Sequence, residues 1–163
     1  MKEEYNETKT APGAVFVDMK DIAAVIGEAI DRGQSVELSP RGKSMLPLLR
    51  ESRDSVTLSP KGDMLRKYDL PLYRRADGSY VLHRVVRVRE NDYVMCGDNQ
   101  YINECGITHS QIIAVVTKIR RGKRSFGVDD FGYRLYSALW CISRPVRHFV
   151  YRVIRKLKKV FKA

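Results

Sequence analysis

Apolar positions change their period twice along the chain. Between residues 18 and 33, Ile22, Val25, Ile26 and Ile30 recur at three- and four-residue steps, which predicts an amphipathic helix. Asp18 stands where an N-cap belongs, and Gly33 where the helix should stop. After Gly33, short β-type runs take over at 35–38, 55–58, 70–74, 80–89, 92–96 and 112–120. Pro40, Pro60, Gly62, Asp77-Gly78, Asn91-Asp92 and Asp98-Asn99 punctuate them, and residues 75–79 read as a hairpin turn. From Tyr133 the helical period returns, with Leu135, Leu139, Ile142, Val146, Phe149, Val153, Leu157 and Val160 on one stripe. Ser143-Arg144-Pro145 interrupts that stripe, with Ser143 placed to cap a second helix carrying proline in its first turn. The expected architecture is a mainly β body with an N-terminal helix and a C-terminal basic amphipathic helical tail.

Length and charge refine this division. The 163 residues suit one domain with an appendage. Residues 1–13 are expected to be a disordered lead, 14–127 the body and 128–163 the tail. The opening MKEEYNETKT has no secretory pattern, and no run of about 18 uncharged apolar residues occurs. The net charge of +11 is unevenly placed. Residues 1–117 carry 16 Lys and Arg against 17 Asp and Glu, whereas 118–163 carry 14 against only Asp129 and Asp130. Arg152, Arg155, Lys156, Lys158 and Lys159 fill the polar side of the tail, opposite the apolar stripe. That combination predicts a helix lying in the interface of an anionic membrane. Nucleic acid is the disfavoured partner, because a solvated basic arm needs no stripe of Leu, Val and Phe. Residues 133–142, with Leu139 and Trp140, have a second reading as a segment packed on the body. Cys96, Cys105 and Cys141 are sparse and lack ligand spacing, which argues against a disulfide framework and a structural metal site.

Three segments carry candidate chemistry. Gly42-Lys43-Ser44-Met45-Leu46-Pro47 places a serine between two β-type runs. His83 follows Tyr80-Val81-Leu82 in a run that reads as one strand, on the face of Val81 and Val85. Gly97-Asp98-Asn99 follows another strand. Taken singly they read as a turn serine, a packing histidine and an ordinary turn.

Taken in order, GKSMLP, LHRVV and GDN resemble the boxes of type I signal peptidases over residues 35–120. Asp69, in Tyr68-Asp69-Leu70-Pro71-Leu72-Tyr73-Arg74, takes the place of the family's G-D-x-V-x-Y-R segment, with Tyr68 where glycine is usual. Histidine rather than lysine at position 83 is similar to the Ser–His branch found in the endoplasmic reticulum, archaea and sporulation. The resemblance implies the β fold shared with SOS-repressor proteases and a serine endopeptidase that removes a leader or signal peptide. It implies an acyl-enzyme on Ser44, His83 as general base and Asp98 as the carboxylate that orients the ring. It also implies small side chains just before the cut and no metal or organic cofactor. Gly42, Ser44 and Met45 would position the oxyanion and the substrate. The Ser44 N–H is the first oxyanion donor, and the second is unassigned. Lys43 is a poor substitute base, because adjacent strand residues point oppositely.

Two further expectations concern addressing and class. The family's apolar anchor is missing, and the charge-rich tail places the protein peripherally on the cytoplasmic side of the cell membrane, or free in the cytoplasm. Its partner would be a peptide or protein with a leader segment. The competing reading is a non-catalytic peptide-binding or regulatory protein of the same fold, tethered to membrane or nucleic acid by its tail. Retention of both Ser44 and His83 argues against it.

Overall fold

The computed structural model describes residues 19–160, with side chains at 22–154. α1 (Met19–Asp31) leads into β1 (Val36–Leu38), β2 (Asp54–Ser59), β3 (Pro71–Arg74) and β4 (Tyr80–Leu82). β5 (Arg84–Val88), β6 (Tyr93–Cys96), β7 (Glu104–Ile107), β8 (Ile112–Arg121) and β9 (Arg124–Gly127) follow, and then α2 (Phe131–Ile142) and α3 (Arg144–Val160). The described chain is thus mainly β, with two sheets and three helices. The expected lead over residues 1–13 and the expected cap Asp18 lie outside the described residues.

The helical spacing near the N-terminus buries Ile26 and Ile30 against the sheet, whereas Val25 of the same stripe is exposed. Gly33 ends α1 with φ +76. Its N–H donates to Ile30 and that of Gln34 to Ala29, both at 2.9 Å, which satisfies carbonyls the helix leaves open.

The larger sheet runs β1-β2-β8-β3-β4, with β9 also paired to β8. The smaller runs β5-β6-β7. Alternation along β8 sends Ala114 and Val116 into a core under α1 and α2. The register then skips Thr117, and this extra residue returns Ile119 to the same core. A second skip, at Ile113, turns Ile112 to the other cluster, which packs Tyr73 and Ile112 against Val85, Tyr93, Met95 and Ile107 of the smaller sheet.

The run 80–89, expected as one strand, is two. Leu82 pairs with Leu72 in the larger sheet, and Arg84 pairs with Cys96 in the smaller. His83 is the single residue at which the chain changes sheets, so it does not sit mid-strand between Val81 and Val85. The turn at 75–79 forms as expected, with the Arg75 N–H donating to Ser79 at 2.8 Å and Gly78 at φ +83. β7 and β9 had no counterpart in the sequence reading.

The helical tail has two parts with different surroundings. α2 packs on the body through Tyr133 and Ser137, which are buried. α3 projects Val146, Phe149, Val150, Val153 and Ile154 to solvent. Ser143 separates the two but does not cap α3. Its backbone is helical, and its hydroxyl donates to Trp140 O at 3.1 Å, as the C-cap of α2. Among the described residues no helix is long and apolar enough to cross a membrane.

Candidate active site

Ser44 lies in the turn between β1 and β2. Met45, Leu48 and Leu49 are buried in the first core and anchor this turn from below. Gly42 adopts φ +86, the left-handed region that favours glycine, and its N–H donates to Glu51 Oε2 at 3.1 Å. That amide is therefore engaged, which removes Gly42 as an oxyanion donor in this conformation. Among the described residues the Ser44 N–H donates no hydrogen bond and remains available. Lys43 is exposed and does not line the cavity that Ser44 faces.

The Gly97-Asp98-Asn99 loop grips this turn. The Asn99 N–H donates to Ser44 O at 2.8 Å, and its side-chain Nδ2 donates to Lys43 O at 3.1 Å. A Cβ at Gly97 would lie 2.7 Å from Ser44 O, closer than carbon and oxygen can approach. Glycine is therefore required by the close passage of two backbones.

Ser44 and His83 line one cavity of about 250 Å³, together with Gly42, Met45, Arg75 and Leu82. Among the described residues no hydrogen bond joins their side chains. His83 is only 1 % exposed. Its Nδ1 lies 3.1 Å from Glu104 Oε1 and 3.3 Å from the Tyr73 hydroxyl. Glu104 in turn accepts from Tyr73 at 2.9 Å and from Arg75 Nε at 2.7 Å, with Arg75 Nη2 on its other oxygen.

This network assigns the protons. Burial tends to raise the Glu104 carboxyl, but hydrogen bonds from Arg75 and Tyr73 outweigh it and hold the group below its ordinary value. Burial, followed by Glu104, pushes the Tyr73 phenol far up, so it stays a donor. Burial lowers His83 below the ordinary histidine value, against an opposing pull from Glu104. A carboxylate only accepts, so Nδ1 carries the imidazole hydrogen and Nε2 is left as the basic nitrogen.

Asp98 does not orient His83. Both of its oxygens are taken by Arg84 Nε and Nη2, each at 2.7 Å. Arg84 is fully buried, and a planar guanidinium matches a carboxylate in two parallel bonds. Its remaining nitrogen donates to Tyr68 O at 3.2 Å, Tyr133 Oη at 3.1 Å and Ser137 Oγ at 2.8 Å. Burial opposes the Arg84 charge, yet the bonds to Asp98 outweigh it and raise its pKa. The backbone of Asp98 also receives the Trp140 indole N–H at 3.1 Å. The GDN segment is therefore a strut between the Ser44 turn, the buried arginine and α2.

Asp69 is likewise structural. Its carboxylate accepts from the Arg66 N–H at 2.7 Å, and its carbonyl accepts from the Val85 N–H at 2.9 Å. Tyr68, where the resembled segment has glycine, holds φ +82, a conformation that glycine adopts without strain.

Glu104, Tyr73 and Arg75 are the site residues that the sequence reading missed. One signal was present: Glu104 is the only acidic residue between Asp98 and Asp129. Of the expected membrane face, Arg152 is exposed on α3, and the side chains of Arg155, Lys156, Lys158 and Lys159 lie outside the described residues. Phe131, Leu135, Leu139, Ile142, Val146, Phe149 and Val153 are all exposed, so the apolar stripe continues from α2 into α3. Among the described residues no cluster of three His, Cys, Asp or Glu could hold a metal, and the three cysteines are free thiols. No family model, curated protein or solved structure matches this chain.

Proposed function

We propose that the protein is a serine endopeptidase with a signal-peptidase-like fold, acting on a leader segment at an anionic membrane surface. The observation that carries this reading is a buried His83 held at Nδ1 by Glu104 in the cavity that Ser44 lines. Ser44 Oγ attacks the scissile carbonyl carbon while its proton passes to His83 Nε2. The oxyanion forms against the Ser44 N–H, and Glu104 stabilises the imidazolium. The C–N bond breaks as the imidazolium protonates the leaving amine. Water, deprotonated by the same nitrogen, then hydrolyses the ester.

The sheet supports a mode of substrate entry. β4 is the edge of the larger sheet, and Tyr80, Val81 and Leu82 line the Ser44 cavity. An extended peptide paired with this edge runs directly toward His83. The exposed apolar stripe of α3 supports a peripheral position on the membrane, and the positive-inside tendency of its basic sequence favours the cytoplasmic side.

The test has two parts. A phosphonate probe that reacts with activated serines should label Ser44 in the parent protein and fail with His83→Ala. Sequencing of protein N-termini from the host should then reveal uncut leaders with Ser44→Ala. Probe labelling that survives both substitutions refutes the dyad.

A further inference from the structure

A second cavity, of about 650 Å³, opens where β5 and β6 meet the joint between α2 and α3. Lys67, Arg87, Arg89, Arg144 and His148 line it, and no carboxylate does. Arg87 reaches it through a bulge. The β5–β6 register skips Val86, so Arg87 stands opposite Val94, and all three residues line the cavity. His148 is fixed there by stacking on Tyr101, with ring centroids 4.6 Å apart. The cations have little local compensation. Arg89 lies 3.6 Å from Asp92, Arg144 contacts the Cys96 sulfur, and neither Lys67 nor Arg87 has an ion pair among the described residues. Like charges gathered in a concave wall repel one another and focus a positive field, which an entering anion relieves.

The rim specifies what kind of anion. Ile142 lines the same cavity and is 70 % exposed, and it belongs to the apolar stripe that continues through Val146 and Phe149. A cationic hollow opening onto an apolar ridge matches an amphiphile with a phosphate at its head. We propose that this cavity binds the phosphate head group of an anionic phospholipid, with the acyl chains along the Ile142 ridge. The proposal rests on the membrane reading of α3 only for the source of the ligand, and it is independent of Ser44 chemistry.

Calorimetric titration of the full chain with dihexanoyl-phosphatidylglycerol below its micelle concentration reads the cavity without a bilayer. Inorganic phosphate is the parallel titrant. The short-chain lipid should bind at least about tenfold more tightly than phosphate. Lys67→Gln with Arg87→Gln should weaken it by about 25-fold, taking roughly fivefold for each cation beside an anionic head group. Both side chains are exposed, so the variant should keep the parent thermal unfolding profile. Ile142→Ser should weaken the lipid and leave phosphate unchanged. Lys123→Gln, in the exposed turn between β8 and β9 and outside the cavity, should leave the lipid titration unchanged.

A vesicle arm, phosphatidylcholine with and without phosphatidylglycerol, separates the two readings of the membrane. Parent protein that sediments with anionic vesicles yet ignores the short-chain lipid overturns the cavity proposal and leaves the helix-in-interface reading standing. Equal affinity for phosphate and lipid overturns the lipid assignment, as does a lipid titration unaffected by Lys67→Gln with Arg87→Gln. Tighter binding of an RNA or DNA oligonucleotide than of the lipid, lost in the same variant, overturns it also.

Discussion

Replacing Glu104 with glutamine removes a charge from beside His83 while preserving shape. In the parent, His83 Nδ1 stands 3.1 Å from Glu104 Oε1, the separation at which the imidazolium of the proposed mechanism would meet the carboxylate. At an effective dielectric constant of about 20, unit charges at that separation attract by about 5 kcal/mol. Arg75 shares the carboxylate and offsets part of this, which leaves about 3–4 kcal/mol, or roughly 10²–10³-fold in kcat. The pH profile supplies a second readout. Burial depresses His83 and Glu104 opposes that depression, so the acidic limb of kcat/KM should lie below the ordinary histidine pKa of about 6.5. Glu104→Gln should move the limb to still lower pH. The sign for stability follows from the same shift. The unfolded chain binds the His83 proton more readily, so this contribution is present above the unfolded pKa and is lost as pH falls through the lower folded value. Cleavage of a fluorogenic leader peptide from pH 4.5 to 8.5, with thermal unfolding of each variant, provides the measurements. An unchanged kcat and an unmoved limb for Glu104→Gln would refute the assignment of Glu104 as the ring's partner.

Asp98→Asn should act on stability instead. It leaves the Arg84 charge without a full counter-ion in the interior, a change that costs about 3–5 kcal/mol, and the acidic limb of the folded fraction should move down by less than with Glu104→Gln, because the Asp98 charge supports the His83 proton more weakly than Glu104 does. Gly97→Ala should displace Ser44, because the added methyl meets its carbonyl at 2.7 Å, and kcat should fall about 10²-fold with KM less affected. Retention of parent kcat would show that the two backbones separate freely. Deletion of residues 144–163 should release the protein from anionic vesicles and remove the salt dependence of binding, while Ser44-dependent cleavage of a soluble peptide persists. Equal co-sedimentation of full-length and truncated protein at two salt concentrations would overturn that.

The parts that could be read from the sequence were those with sustained period. The helical steps around Ile26, the alternation in β2 and β8, and the stripe from Leu135 onward each follow from one face meeting a core or an interface. β7 and β9 were illegible because Glu-Cys-Gly-Ile and Arg-Ser-Phe-Gly are four residues long, carry glycine and do not alternate. The sheet change at His83 was hidden because Leu82-His83-Arg84-Val85-Val86 has uninterrupted β character, and only pairing with two different neighbours divides it. The Asp98 assignment missed a competitor one residue along the chain. A buried guanidinium is a stronger claimant for a carboxylate than a neutral imidazole, and Arg84 is adjacent to His83.

The change of sheets at His83 also sets the proposed dyad on a mechanical joint. Leu82 is tied to β3, and Arg84 is tied to β6 and to Asp98, so rotation of one sheet against the other rotates the imidazole between them. Ser44 straddles the same joint. Met45 is seated in the core of the larger sheet, and Asn99 holds the serine backbone from the loop after β6. Tyr73, Ile112, Val85 and Met95, packed between the sheets, then serve as the bearing on which Ser44 and His83 are held relative to each other. In the proposed mechanism, volume lost from that bearing would change the angle of attack with every reacting group in place. On the proposed function, a peptide paired along β4 would load one side of the joint, and binding energy from residues distant from the cut would reach the reacting atoms as alignment.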